Sequence, residues 1–188
     1  MDGVGARIMN HATTGDNKAK SYDGDYMDVG KEGERIVMDW LRGRPNILGV
    51  TDFREIREIQ EADVDVGVRL YTGQICLAEI KTDTYLGVSG NILNELLRIN
   101  HRAEPKFAGY LGWTLRSPAE WLLYYAPNRN PPAIYQGRFF DIRRVVQEYT
   151  KKHDVKFTTI RTDTNKTTYA ILIPEEEYGG VFKIHETK

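Results

Sequence analysis

Only one cysteine, Cys76, is present among the 188 residues. A single thiol excludes an internal disulfide framework and is typical of proteins from a reducing compartment. No apolar run approaches the roughly 18 residues that a membrane-spanning helix needs, and residues 1–27 contain no apolar core of a signal peptide. We therefore expect a soluble, intracellular, cytoplasmic protein with no membrane partner.

A strong net charge is also missing, since 26 basic and 27 acidic residues leave a formal charge of −1. The total charge does not indicate a nucleic-acid binder, but the distribution along the chain is uneven. Residues 51–95 contain nine acidic and four basic residues, whereas residues 96–152 contain ten basic and four acidic ones. A carboxylate-rich metal site beside a basic phosphate-binding surface would give this charge distribution. The alternative is that the charges of an ordinary protein surface vary this much by chance.

Domain organisation follows from length and composition. Forty per cent of the residues are apolar and 28% are charged, which are values of a globular domain. Residues 1–27 are rich in Gly, Asp, Asn, Ser and Thr and show no period, so we expect a flexible N-terminal arm. The remaining residues, 28–188, have the length of a single domain with its own core.

Hydrophobic periodicity predicts the main helices and strands. Apolar and polar residues alternate over residues 62–70, which is the period of a strand. Apolar residues repeat at helical spacing in two segments, and they form short strand-like runs elsewhere. The predicted helices lie at residues 31–45 and 139–152, a further helix face at residues 91–95, and the predicted strands at residues 46–59 (with a loop), 62–70, 75–82, 121–126, 157–161 and 168–173. This order is typical of an α/β (α+β) fold with a mixed central β-sheet flanked by helices.

The triplet Glu79-Ile80-Lys81 is a Glu-x-Lys sequence with a chemically useful placement. The same spacing occurs at residues 104–106 and 186–188, so the triplet alone has little value. Only Glu79 and Lys81 stand in an apolar strand, where residues two apart share one face of the sheet. We therefore expect the two side chains to project together.

Residues 71–73 are interpreted as the turn that joins the two strands around this triplet. A two-residue turn at residues 72–73 would pair Asp65 with Ile80, so the Asp65 side chain would lie on the face opposite to Glu79 and Lys81. A three-residue turn requires a left-handed residue at its third position, where Gly73 stands. This turn pairs Leu70 with Gln74.

Counting back from that turn places Asp65 opposite Glu79 and Asp63 opposite Lys81. Side chains directly opposite each other are roughly 5 Å apart, and two carboxylates this close repel each other unless a cation lies between them. Carboxylate oxygens are ligands that suit Mg²⁺ or Mn²⁺. The register therefore predicts a Mg²⁺ or Mn²⁺ site at Asp65 and Glu79.

Glu34 is a further candidate, because it lies three and seven residues before Val37 and Leu41 on the apolar stripe of the first helix. A glutamate on a buried face is rare unless it has a partner. The alternative is an exposed glutamate in the first turn, where the helix dipole favours a negative charge.

Together these residues resemble the PD-(D/E)XK nuclease superfamily, which includes restriction enzymes, archaeal junction resolvases and phage nucleases. Asp65 matches the aspartate of the motif, Glu79 and Lys81 match the Glu-x-Lys, and Glu34 matches the glutamate of the preceding helix. Val64 replaces the usual proline. The resemblance is to phage-type or junction-resolvase-like members and suggests a phage-encoded origin.

The resemblance, which covers residues 30–85, implies a restriction-endonuclease-like core and a metal-dependent endonuclease that hydrolyses phosphodiester bonds in DNA. It implies that Asp65, Glu79 and the Ile80 carbonyl bind Mg²⁺ or Mn²⁺. Glu34 would hold a water molecule or a second ion, and Lys81 would orient the nucleophile or stabilise the phosphate. Cleavage of both strands would favour a homodimer. The alternatives are a non-catalytic DNA-binding module on the same fold and a protein-interaction domain.

Basic residues of the second half of the chain are candidates for contacts with nucleic-acid phosphates, although each could equally be an ordinary surface charge. The six candidates are Arg98, Arg102, Lys106, Arg116, Arg143 and Arg144.

Overall fold

A computed structural model describes residues 23–100, 108–163 and 166–187. Residues 1–22, which make up most of the expected arm, lie outside this part of the chain, as does the turn expected at residues 164–165. Backbone is described from Asp23 onwards, and residues 23–27 are helical rather than part of an arm.

The first helix, α1 (Asp23–Arg42), begins eight residues before the predicted start. Its apolar stripe is buried as expected, with Val37, Met38 and Leu41 at most 3% exposed. The helix ends at Gly43, whose N–H donates to the Asp39 carbonyl at 3.1 Å. The stripe packs α1 against one face of the sheet described below.

In the described part of the chain, ten strands and four further helices follow α1, together with one 3-10 turn at Glu175–Tyr178. In chain order the elements are β1 (Ile47–Asp52), α2 (Arg57–Gln60), β2 (Val66–Leu70), β3 (Ile75–Thr82), α3 (Leu86–Ser89), β4 (Asn91–Asn100), β5 (Ala108–Leu111), α4 (Trp113–Arg116), β6 (Trp121–Ala126), β7 (Ala133–Arg138), α5 (Phe139–Lys152), β8 (Thr158–Asp163), β9 (Lys166–Pro174) and β10 (Lys183–Glu186).

The strands form two sheets. Six strands are ordered β1-β2-β3-β6-β7-β10, and four are ordered β5-β4-β9-β8. The larger sheet is mixed, because β3 and β6 run parallel while its other neighbours are antiparallel. The chain is therefore a mixed α/β protein with a mixed sheet flanked by helices, as predicted.

Two apolar cores lie on opposite faces of the larger sheet. The face that carries Val66, Val68 and Ile80 is covered by α1. The other face, which carries Leu122 and Tyr124, packs against α5 and the smaller sheet. Side chains of odd-numbered β3 residues point towards this second face, because successive strand residues alternate.

The β2–β3 hairpin has the predicted register. Val66 pairs with Ala78 and Arg69 with Ile75, and the Leu70 N–H donates to the Gln74 carbonyl at 2.9 Å. Gly73 has a φ of +86°, the left-handed conformation that the three-residue turn requires. The prediction from the glycine position is confirmed.

The smaller sheet was only partly expected. Strands β8 and β9 and helix α5 agree with the predicted elements, but the predicted helix face at residues 91–95 is wrong, since they begin β4 and pair with β9. Apolar residues in β4 recur at the spacing of a helix as well as at that of a strand, so the pairing with β9 decides which structure forms. Strands β5, β7 and β10 were not predicted.

Among the described residues, no helix is long and apolar enough to cross a membrane.

We predict that Gly33→Ala destabilises the protein, because α1 approaches β3 closely at this position. A Cβ there would lie 2.0 Å from Thr82 Oγ1 and 2.9 Å from Thr82 Cγ2, so rotating the threonine cannot relieve the clash. Overpacking of this kind costs about 1–3 kcal/mol. Thermal unfolding checks it, with Gly30→Ala as the matched control on the same helix, where nothing lies within 4 Å and alanine should stabilise by up to about 1 kcal/mol. Equal shifts in both variants would contradict the prediction.

Candidate active site

Asp65 binds β3 through its side chain as well as its backbone. The Asp65 N–H donates to the Ala78 carbonyl at 3.0 Å, and its Oδ2 accepts the Ile80 N–H at 2.7 Å. Oδ1 accepts the Gln60 side-chain amide at 2.8 Å. The carboxylate is therefore fixed at the edge of β3, beside Glu79, and the residue is only 7% exposed.

Asp63 does not lie opposite Lys81, and this part of the predicted register is wrong. Its φ is +55°, so the extended chain is interrupted before β2 begins. The Asp63 carboxylate binds Arg116 at 2.6 and 2.8 Å, while its carbonyl accepts the Ser117 hydroxyl at 2.7 Å. Tertiary contacts with the α4 region thus hold Asp63 out of the ladder.

Glu79 and Lys81 project together from β3, as the spacing predicts, and form an ion pair. Glu79 is 2% exposed, and its Oε2 is buried without a hydrogen-bond partner in the described part of the chain. The Lys81 Nζ also lies 5.9 Å from the centroid of the Trp113 ring. Lys81 is therefore enclosed between a carboxylate and an aromatic ring.

Burial and neighbouring charges change the pKa values of both groups. Burial raises the pKa of Glu79 to about 8, with a further increase from the Asp65 charge, while Lys81 opposes the shift. Burial alone would lower the pKa of Lys81, but the Glu79 and Asp65 carboxylates outweigh it and raise that pKa. Lys81 therefore stays charged at neutral pH, whereas Glu79 retains a proton more readily than a solvated glutamate.

These groups fit a divalent cation, because Glu79 Oε2 is left without a hydrogen-bond partner by the described residues. Two carboxylates, Asp65 and Glu79, lie side by side, and hard cations prefer such oxygen ligands. The N–H and C=O of one strand residue face the same neighbouring strand, so the Ile80 carbonyl points to the edge where Asp65 accepts the Ile80 N–H. Within the described ranges, no three Cys, His, Asp or Glu side chains form a metal-binding group.

Glu34 does not join this pair directly. Helix α1 covers the opposite face of the sheet, and the Glu34 carboxylate binds Arg54 at 2.8 Å. Arg54 also binds Asp52 at 2.6 Å. Glu34 does line an open cavity of about 680 Å³ together with Gln60, the residue that donates to Asp65. A catalytic role for Glu34 stays a prediction.

Two of the predicted basic residues, Arg98 and Arg116, line one cavity of about 500 Å³. We call it the arginine cavity; its wall is formed by Arg57, Gln60, Glu61, Asp63, Arg98, Tyr110 and Arg116, and Glu61 pairs with Arg57 at 2.8 Å. Gln60 connects this cavity to Asp65. The cavity thus adjoins the acid pair.

The other predicted basic residues are placed differently. Arg143 donates to the carbonyls of Thr114, at 2.9 Å, and Ser117, so it holds the loop around α4. Arg144 is exposed and lies 3.9 Å from Asp141. Residues 102 and 106, the predicted Arg102 and Lys106, lie outside the described part of the chain.

Sequence reasoning missed two residues around the site and put a third, Glu95, on a helix face. Gln60 holds Asp65, and Arg57 lines the arginine cavity, but both come from the four-residue helix α2, which has no periodic signal. Glu95 is 12% exposed, pairs with Arg98 at 2.5 Å and contributes to raising the Lys81 pKa. It was assigned to a helix because the strand pairing of β4 is not visible in the sequence.

No protein-family model matches this chain, and no curated protein or solved structure matches it. The function is therefore inferred from the geometry and chemistry of these residues.

We predict that Glu79→Gln stabilises the metal-free protein more at pH 8 than at pH 5. The pKa of Glu79 is raised from 4.5 to about 8 on folding, so the folded state binds the proton more tightly and loses stability as the pH rises between those values. Glutamine has no charge to bury, and the relative gain should be about 1 kcal/mol or more. Urea unfolding in EDTA at both pH values measures it.

The exposed Glu186 provides the control for this experiment. Glu186→Gln should have the same effect at both pH values, because a solvated carboxylate carries no burial cost. Parallel pH profiles for wild type and Glu79→Gln would show that Glu79 is not held at a costly buried position.

Proposed function

We propose that this protein is a metal-dependent nuclease of the PD-(D/E)XK type that hydrolyses phosphodiester bonds in DNA, built on a restriction-endonuclease-like core. The observation that carries the proposal is the buried Glu79 Oε2, which has no hydrogen-bond partner in the described part of the chain and lies beside the fixed Asp65 carboxylate. Leaving such a group unsatisfied costs free energy, and a bound cation would offset that cost.

The charges near the acid pair favour a phosphodiester as the substrate. A neutral or cationic substrate would gain little from Lys81, which pairs with Glu79, or from Arg98 and Arg116, which line the adjoining arginine cavity. A phosphodiester is an anion that needs positive charge on its non-bridging oxygens when its negative charge grows in the transition state. Acidic residues that hold a cation, next to basic residues that hold the anion, meet both needs.

In this proposal, Asp65, Glu79 and the Ile80 carbonyl hold Mg²⁺ or Mn²⁺. When bound, the cation polarises the scissile phosphate and makes water more acidic. Asp65 is oriented for this role by Gln60 and the Ile80 N–H. Lys81, which is held beside the site by its ion pair with Glu79, would donate a hydrogen bond to a phosphate oxygen or to the attacking water.

The test of this function is cleavage of labelled single-stranded, duplex, flap and junction DNA in Mg²⁺, Mn²⁺ and EDTA. We expect metal-dependent cleavage that Lys81→Ala reduces by at least about 100-fold at single turnover, because Lys81 stabilises the transition state. Binding measured in Ca²⁺ should change little. Lys81→Arg should restore little activity, since a planar guanidinium does not replace a compact ammonium.

Lys183→Ala is the matched control, because Lys183 is an exposed strand lysine on β10. Its cleavage rate should equal that of wild type. Cleavage by Lys81→Ala near the wild-type rate would show that Lys81 is a bystander. No cleavage of any substrate by wild type in either metal would remove the nuclease proposal and favour a non-catalytic DNA-binding or interaction domain.

A further inference from the structure

The arginine cavity contains a buried ion pair whose arrangement suits a competing anion. Arg116 donates through Nε and Nη2 to a single oxygen, Asp63 Oδ2, at 2.8 and 2.6 Å. A guanidinium has five N–H groups, so the pair orients Arg116 without using all its donors. The Asp63 side chain is 8% exposed and that of Arg116 is 32% exposed. Asp63 is thus fixed inside the protein, while Arg116 reaches the cavity.

Aromatic and acidic neighbours hold the cavity arginines in place before any ligand arrives. The Arg116 guanidinium carbon lies 5.3 Å from the centroid of the Tyr110 ring. Arg98 is held by Glu95 at 2.5 Å, and its side chain is 28% exposed. Side chains that are already ordered lose less entropy on binding, and planar guanidinium groups match the geometry of phosphate oxygens.

The arginine cavity also has a direct connection to the acid pair. Gln60 lines the cavity and donates to Asp65 Oδ1 at 2.8 Å. Asp63 belongs to the cavity and is separated from Asp65 by a single residue. A group bound between Arg98 and Arg116 would therefore be a near neighbour of a group bound at Asp65 and Glu79.

We propose that the arginine cavity holds a backbone phosphate of the nucleic-acid strand beside the scissile phosphate, and that this phosphate displaces Asp63 as the acceptor of Arg116. The inference rests on the proposed nuclease function and adds the contact next to the reacting bond. Asp63 acts as a substitute anion that keeps Arg116 oriented and compensates its half-buried charge while the cavity is free of substrate. Removing the charge of Asp63 should then strengthen binding, whereas a purely structural ion pair would give the opposite result.

Fluorescence anisotropy with short labelled single-stranded and duplex DNA tests this in EDTA, over a range of salt concentrations. Arg116→Gln should weaken binding about tenfold, the effect of one lost charge-assisted hydrogen bond, and reduce the slope of log affinity against log salt by about one. Asp63→Asn should strengthen binding several-fold. Asparagine tolerates the left-handed backbone of residue 63 and can still accept from Arg116.

Arg129→Gln is the matched control. Arg129 pairs with Glu175 at 2.8 Å and has a side chain 34% exposed, close to the values for Arg116, but it is not part of the arginine cavity. It should leave DNA affinity and salt slope unchanged. The double variant Asp63→Asn/Arg116→Gln removes both charges of the pair, so it tests the loss of Arg116 without leaving Asp63 buried and unpaired; it should bind as weakly as Arg116→Gln.

The outcomes separate this inference from the nuclease proposal. If wild type binds and cleaves DNA but Arg116→Gln and the double variant bind like wild type, the phosphate subsite is absent and the nuclease proposal stands. Weaker binding by Asp63→Asn would likewise overturn the displacement of Asp63. Equal losses in Arg129→Gln would show a general charge effect. Failure of wild type to bind or cleave any of the DNAs would remove both proposals.

Discussion

The hydrogen bond from the Ile80 N–H to Asp65 Oδ2, at 2.7 Å, is the contact on which the site depends. The β2–β3 ladder ends at the Val66–Ala78 pair, so the Ile80 N–H would lack a backbone acceptor from β2. The Asp65 carboxylate takes that place, and a buried N–H is thereby satisfied. The same contact brings a negative charge next to Glu79 and fixes the edge of β3.

The surroundings of this contact are arranged in pairs of opposite charge. Lys81 compensates the acid pair, Arg116 compensates Asp63, and Arg98 compensates Glu95. Buried ion pairs are not an efficient source of stability, since apolar residues of similar volume often do as well or better. Under the proposed function, these three pairs and the carboxylate oxygen with no partner in the described structure would serve to bind charged ligands.

Local signals in the sequence were enough for the hairpin but not for everything around it. Gly73 determines the turn and therefore the register of Glu79, and the strand period shows that Glu79 and Lys81 share a face. The positive φ of Asp63 depends on Arg116 and Ser117, which are more than 50 residues away in the chain, so no local pattern could predict it. Glu34 is half-buried, with a side chain 28% exposed, and its partner Arg54 lies just beyond the end of β1, so this ion pair depends on how β1 packs beside α1.

Binding of Mn²⁺ to the protein, followed by electron paramagnetic resonance, tests most directly whether Asp65 and Glu79 form a cation site. The account predicts saturable binding to wild type, competition by Mg²⁺, and loss of that binding in an Asp65→Asn/Glu79→Gln variant that remains folded. Binding should persist in Asp52→Asn, since Asp52 pairs with Arg54 rather than with the acid pair. Equal Mn²⁺ binding by wild type and the double variant, or no binding by wild type, would contradict the account.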